Sequence, residues 1–377
     1  MHAQVNATRP VQAPSFGGER RVLETSTAHE IDEADALALW SRAQTAAVFN
    51  HPVWWRTALA AFGDGRRLVV LRVSEGAQTV AIWPLWLKRL GPREGFVRVL
   101  EPVGARVTDY CMPLIAAGYD QAAILELLLR EASRHLDPQT LLLWPKAPLE
   151  QSEIAAVEDA ARRTSGLIRS LHRPCAAMSL PESYEHLEKR WSKSHRGDVR
   201  RQIKRLSSVG RLEFVILNQR EQIEGMLPKL YAMHTANWRA RSGYSELENG
   251  PMTTFVARLA AKLAETMISA SELRLDGITI SSHFGFQQGQ TILWYKPTYD
   301  VAWANYAPGK VHVALAAQSG IAAGMTKIDF MQGTEAYKLL WSDLTTPTKS
   351  FVIARPMAYP LWAWNTKVRN FAAEYRY

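Results

Sequence analysis

Residues 290–310 read QTILWYKPTYDVAWANYAPGK, and the fold turns on how they are parsed. The apolar and aromatic start, Gln290–Lys296, predicts a strand. Tyr299-Asp300 and a loop follow, and then Tyr306-Ala307-Pro308-Gly309-Lys310 opens a helix. Proline suits a first helical turn, and glycine lets a ligand approach the backbone. Unpaired N–H groups, the positive helix end and Lys310 would together suit a pyrophosphate. Downstream the pattern predicts a small-residue helix over Pro308–Ala323, a strand over Lys327–Phe330, a helix over Thr334–Trp341 and a strand over Ser350–Ala354.

Upstream, Glu272–Leu275 and Gly277–Phe286 pair across Asp276-Gly277, a dipeptide suited to a tight turn. Before them come a strand, Leu212–Leu217, and helices over Glu221–Arg239 and Phe255–Met267. The first half shows a similar order. Helices over Asp35–Ala47 and Val53–Phe62 precede strands Arg67–Val73, Thr79–Leu87 and Phe96–Leu100. A helix over Asp120–His135 and a short strand, Thr140–Trp144, follow. A meander, a helix and a short buried strand thus occur twice, in 67–144 and 272–330, which reads as a structural duplication of a mixed α/β fold. The expected division is an N-terminal arm at 1–20, a domain over 21–170 and a second over 171–377, with the border near Pro174 and Pro181.

The chain has 377 residues, 47% of them hydrophobic and 21% charged, which is ordinary globular composition. Cys111 and Cys175 are the only cysteines, so no disulfide framework is expected. The first twenty residues lack the apolar core of a signal peptide, and no run reaches the ~18–20 apolar residues of a membrane span. The expectation is a soluble cytoplasmic protein. The sequence carries no P-loop, G-x-G-x-x-G, H-E-x-x-H, G-x-S-x-G or C-x-x-C motif. Together these absences favour chemistry done by positioning, with neither a metal nor a covalent nucleophile.

The +9 formal charge is unevenly spread. Glu188–Arg205 (EKRWSKSHRGDVRRQIKR) holds eight Lys or Arg against two acids, so 8 − 2 = +6 sits on one predicted helix. Ser194 or Asp198 could cap it. Val199, Ile203 and Leu206 form one apolar stripe, and Arg196, Arg200 and Lys204 run beside it, widened by Arg201 and Arg205. With Lys193, Arg196, Arg200, Arg201 and Lys204 this is an anion-binding face or a merely solvated one. RNA is a further option, although no recognised DNA- or RNA-binding module accompanies the run.

The string Y-K-P-x-Y-D…Y-A-P-G…D-F-x-x-G-x-E-x-Y-K-x-x-W resembles the C-terminal part of the CelD-like acetyltransferases, a branch of the GNAT superfamily associated with bacterial cellulose and exopolysaccharide loci. The basic segment 186–210 is similar to the K/R-rich helix of that family and of the related FemAB-type transferases. The N-terminal half matches more loosely, and Ala307 stands where the family typically has serine. The resemblance implies tandem GNAT-like folds, the first degenerate and the second binding acetyl-CoA. It places the cofactor on Tyr306, Ala307, Pro308, Gly309 and Lys310, with the acyl chain along Leu293–Tyr295.

N-acyl transfer needs a base for the amine, an oxyanion donor and an acid for the thiolate. His283, Asp300 and Glu335 are candidate bases, and Tyr295, Tyr299 and Tyr337 candidate acids or donors. Lys338 could hold a carboxylate or phosphate. The plainer readings are His283 as a core histidine, Asp329 as an anchor for a turn or the basic helix, and Tyr337 with Trp341 as packing on one helix face. The expected activity is acetyl transfer to an amine of a small or sugar-derived acceptor, with polysaccharide-synthesis proteins as expected partners and without DNA. Alternatives are a FemAB-like aminoacyl-tRNA-dependent transferase and a non-catalytic scaffold.

Overall fold

The computed structural model describes residues 9–12, 22–89, 97–248, 250–333 and 335–355. Its contacts divide the chain into two compact units, one of residues 1–173 with 347–377 and one of Pro174–Thr346. The architecture is mixed α/β, with sheets flanked by helices.

The first unit begins with β1 (Arg9–Gln12) and β2 (Val22–Ala28), then α1 (Glu33–Trp40) and α2 (Pro52–Phe62). An antiparallel meander follows: β3 (Arg67–Glu75), β4 (Gln78–Arg89) and β5 (Arg98–Pro102). After the short β6 (Leu114–Ile115), α3 (Gln121–Ser133) crosses to β7 (Thr140–Ala147), which pairs parallel with β5 from Arg98↔Thr140 to Leu100↔Leu142. α4 (Gln151–Thr164) and β8 (Leu167–Ser179) complete the first half. Trp54, Trp83, Trp86 and Trp144 are fully buried, with Trp83 and Trp86 on opposite faces of β4. Trp83 meets Trp144 edge-on at 4.8 Å, a favoured aromatic geometry.

The second unit repeats that order. After α5 (Tyr184–Arg190), α6 (Lys193–Val209) and β9 (Leu212–Leu217) come α7 (Arg220–Ser242) and α8 (Pro251–Leu263). The meander β10 (Ile268–Leu275), β11 (Ile278–Gln288) and β12 (Thr291–Tyr299) leads through a 3₁₀ turn, Val301–Tyr306, to α9 (Pro308–Ala322). β13 (Lys327–Gln332), α10 (Ala336–Leu339) and β14 (Leu344–Ala354) follow. Small residues on α9 let it lie close to the sheet: a Cβ at Gly320 would come within 3.3 Å of Ile292. Val313, Ala314 and Ala317 share a core with Trp294, Ile328 and Phe330.

Each half's last strand pairs outside its own half. Residues Cys175–Ser179 of β8 pair antiparallel with β13, in the second unit. Residues Lys349–Ala354 of β14 pair with β7, in the first. A border read from the sequence at 170/171 falls inside β8, and residues from Pro347 on group with the first unit although 171–377 was expected to hold together. Periodicity reports that a segment is a strand but not which neighbour it joins.

Four local expectations change. Most of the N-terminal arm lies outside the described residues, but Arg9–Gln12 form a strand on β2. The predicted start of β5, Phe96, also lies outside them. The basic run is two helices rather than one. Trp191 adopts an extended conformation that buries its indole, and Ser192, not Ser194 or Asp198, caps α6 by accepting the His195 N–H at 3.1 Å. The helix expected over Thr334–Trp341 shrinks to Ala336–Leu339, so Trp341 is buried past its end while Tyr337 stands 44% exposed. Those two do not share a helix face.

Candidate active site

In the second unit, β12 and β13 run parallel only from Thr291↔Lys327 to Leu293↔Asp329. From Trp294 onward β12 keeps its antiparallel partner β11 but has no register with β13, so a wedge opens between the two strands. Asp329 explains the parting. Its Oδ1 accepts the Met331 N–H at 2.8 Å, and Met331 takes φ +57° in a bulge that breaks the β13 ladder between Asp329 and Gln332. Asp329 therefore anchors a turn, one of its two plainer readings.

The chain leaving β12 is turned toward α9 by two capped steps. Asp300 accepts the Ala302 N–H at 3.1 Å at the head of the 3₁₀ turn, and its other oxygen faces Lys229 at 3.7 Å. Ala307 then sits at φ +48°, ψ +52°, a left-handed conformation that costs a non-glycine residue free energy. Its carbonyl receives the N–H groups of Lys310 and Val311. Pro308 and Gly309 follow with no side-chain cap, so the helix start offers bare backbone and its positive dipole end. A Cβ at Gly309 would sit in van der Waals contact with the Tyr299 ring, 3.4 Å away, so a larger side chain there would crowd that ring.

α6 is fastened to this helix start. Asp198 pairs with Lys310 and Arg201 and meets Gln202 at 3.4 Å. The Lys310 hydrogen bond holds the Asp198 carboxyl below its usual range. Arg205 donates to the Asn305 carbonyl at 3.1 Å and lies 4.9 Å over the Tyr306 ring. Arg200 forms a two-armed pair with Glu188 at 3.0 and 2.6 Å, and Arg196 reaches the Glu188 carbonyl at 3.4 Å. The expected cationic stripe is thus largely tied to protein partners. Lys193 and Lys204 are exposed and show no hydrogen bond or ion pair among the described residues.

The candidate bases do not converge. His283 is 1% exposed on β11, stacked on Trp294 with ring centroids 3.7 Å apart. Burial and the neighbouring His312 hold its pKa well below 6.5, so the ring is neutral. Its Nε2 lies over Gly285 without a hydrogen-bond partner. Glu335 and Lys338 pair with each other at 3.0 Å after β13, and the Lys338 ammonium also donates to the Gln332 carbonyl at 2.6 Å. No hydrogen bond, ion pair or ring contact among the described residues joins His283, Asp300 and Glu335. Tyr295 is buried beside Phe286, with Lys296 4.5 Å from its ring.

One buried network was not expected from the sequence. His312, 1% exposed on α9, bonds Ser271 on β10 at 2.9 Å and Ser281 on β11 at 2.8 Å. Ser281 spends its own proton on the Thr298 carbonyl at 2.7 Å, so His312 Nδ1 must donate to it and Nε2 accept from Ser271. That tautomer is neutral, in line with a pKa that burial lowers to about 3. The Asn237 amide donates to the Tyr299 carbonyl at 2.5 Å, and the whole series pins the end of β12 where the chain leaves for α9. The available signal was a lone histidine four residues after Pro308, in the apolar stretch Val311–Ala317 of a small-residue helix.

The strand order, the wedge and the uncapped helix start define a GNAT-type acyltransferase fold. Residues 193–339 match the family described as the acetyltransferase (GNAT) domain, which spans α6 through α10. No curated protein matches the sequence. Among solved structures, FemX is similar over 89% of this chain and 98% of its own, with TM-score 0.60 at 10% identity. L-PGS from Bacillus licheniformis matches over 92% and 98%, with TM-score 0.54 at 11% identity. The C-terminal domain of a chain named as a lysylphosphatidylglycerol synthetase from Agrobacterium fabrum matches over 89% and 95%, also with TM-score 0.54 and 11% identity. At such identities the likeness is one of fold. Among the described residues no helix is long and apolar enough to cross a membrane, and no three His, Cys, Asp or Glu cluster as a metal site.

Proposed function

We propose that the second unit is an acyl-CoA-dependent N-acyltransferase, acting with acetyl-CoA on the amine of a small or sugar-derived acceptor. The observation that carries this reading is the pairing of an open β12–β13 wedge with an uncapped α9 start. Tyr306, Ala307, Pro308 and Gly309 would line the cofactor's pyrophosphate, with the Gly309 N–H donating and the helix dipole favouring the anion. Lys310 would contribute from its pair with Asp198. The β12 backbone from Trp294 would receive the thioester arm. The cofactor supplies an activated acyl group; the amine nitrogen bonds to its carbonyl carbon, the C–S bond breaks, and the amine's proton balances the departing thiolate.

Asp300 and Glu335 are tied to Lys229 and Lys338, which leaves Nε2 of His283 as the candidate for that proton. Tyr299 beside Gly309, and Tyr337 exposed on α10, remain the candidate donors. The first unit repeats the element order and in this reading is a GNAT-like domain without a cofactor.

Calorimetry with acetyl-CoA tests the proposal. Wild type should bind one equivalent, and Gly309→Trp, which crowds the Tyr299 ring, should weaken binding by ~100-fold or more, as losing two charge-assisted hydrogen bonds would. His283→Gln should bind acetyl-CoA normally and turn over poorly. Absence of heat and of thermal shift in wild type sinks the reading. Salt-dependent binding of aminoacyl-tRNA in its place would establish the FemAB-like alternative. The tethering of Arg196, Arg200, Arg201 and Arg205 speaks against that outcome, because it leaves few free cations on α6.

A further inference from the structure

The first unit carries a second concentration of cations, at one end of its β3–β4–β5 meander. A cavity of about 400 Å³ opens there, lined by Arg66, Arg67, Lys88, Arg89 and Arg98 and by one acid, Asp64. The volume lies within the range of small-molecule pockets.

The strand registers sort these cations onto two faces. Arg67 pairs with Leu87, and Arg89 pairs with Arg98. Cross-strand partners share a face, as do residues two apart, so Arg67, Arg89 and Arg98 project from one side of three adjacent strands. Lys88 belongs to the other face, with Trp86 and Glu101. There the buried Glu101 carboxylate meets Lys88 at 2.9 Å, the Trp86 indole at 2.9 Å and Arg66 at 3.6 Å. Arg66 also lies 4.0 Å over the Trp86 ring. That face is balanced internally.

The arginine face is not. Asp137 pairs with Arg98, while Arg67 and Arg89 show no ion pair among the described residues. Like charges directly opposite across a strand pair, as Arg89 and Arg98 are, destabilise a sheet. In addition, Arg98 Nε is buried with no hydrogen-bond partner, a donor that costs free energy unless something accepts from it. Three planar guanidinium groups around a cavity, one of them with an orphaned donor, match the two-armed geometry with which arginine takes phosphate oxygens.

We propose that Arg67, Arg89 and Arg98 form an anion site for a soluble diphosphate ester, separate from the α9 helix start. The cavity's five cations, less its own Asp64 and the paired Glu101 and Asp137, leave +2, which suits adjacent phosphoryl groups better than a single carboxylate. The cavity has room for an attached organic group beyond the phosphates.

The test uses the full chain with inorganic pyrophosphate and ADP as probes in calorimetry, comparing wild type with Arg67→Gln/Arg89→Gln. Arg98 is left intact because it ties down Asp137, which caps the turn into β7. The variant should bind both probes at least about tenfold more weakly at one site, bind acetyl-CoA with wild-type affinity, and melt no lower than wild type. Equal probe binding by the two proteins, or none by wild type, overturns the site. Arginine-dependent sedimentation with phosphatidate vesicles, without pyrophosphate or ADP binding, would reassign it to a lipid headgroup and overturn the soluble ligand.

Discussion

The two units place a helix at the same point, after the meander and before the parallel strand, and begin it in opposite ways. α3 starts from Asp120, whose carboxylate accepts the Ala122 N–H at 3.0 Å and so supplies its own anion to the helix end. α9 starts from Ala307-Pro308-Gly309 with no side-chain cap. The residue just past the parallel register differs in the same sense. In the first unit Leu100 leads to Glu101, a buried carboxylate held by Lys88 and Trp86, whereas in the second Leu293 leads to Trp294. One scaffold thus sets a carboxylate of its own at its helix start and another just past its parallel register, and the other has neither and leaves its helix start without a side-chain cap. On the proposed function, a few residues at these two places, rather than element order, separate the unit that takes a cofactor from the one that does not.

The largest expected effect comes from giving the second unit the first unit's device. Ala307→Asp puts a carboxylate where the pyrophosphate would lie, at a cost of ~1–3 kcal/mol for like charges ~5 Å apart near a surface, or roughly ten- to hundredfold in acetyl-CoA affinity. Aspartate tolerates the left-handed conformation better than alanine, so the melting temperature should hold. Unchanged affinity by calorimetry would break the comparison.

The next effect is on pH dependence. His234 and His312 in the second unit are lowered to about 4 and about 3, in both cases chiefly by burial. Between those values and the ordinary 6.5 the unfolded chain binds more protons than the folded one, so stability rises with pH there. The contribution is fully present above 6.5 and is lost as pH falls through the window. Each such histidine should cost ~1.4 kcal/mol per pH unit below 6.5. Urea unfolding between pH 7 and 5 should show this slope, reduced by one proton in His312→Asn. A slope equal to wild type would place the sensitivity elsewhere.

Much of this was legible from sequence because it is local. The run from Gln290 to Lys310 announced strand, loop and helix start, and Val199, Ile203 and Leu206 announced the docking stripe of α6. What escaped depends on partners distant in the chain. Lys310 and Arg201 read as free cations until Asp198 is placed between them, and Arg200 until Glu188 is. The opposed pair Arg89 and Arg98 is invisible without register, and the exchange of β8 and β14 is invisible without the sheet. The network around His312 leaves no mark in the sequence, because its serine partners lie 41 and 31 residues upstream.

The smallest effect sharpens the comparison from the other side. Asp120→Ala should cost about 1 kcal/mol through loss of a helix cap, read as a lower melting temperature. It should leave acetyl-CoA affinity and stoichiometry untouched. If the capping carboxylate alone kept the first unit from binding, its removal would raise calorimetric stoichiometry toward two per chain. One per chain is expected, for two reasons. Gln121 sets a long side chain, bonded to Glu153, at the first helical position, where α9 has Pro308. Glu101 keeps its buried charge beyond the parallel register, where an entering thioester arm would have to displace Lys88 and leave an uncompensated carboxylate.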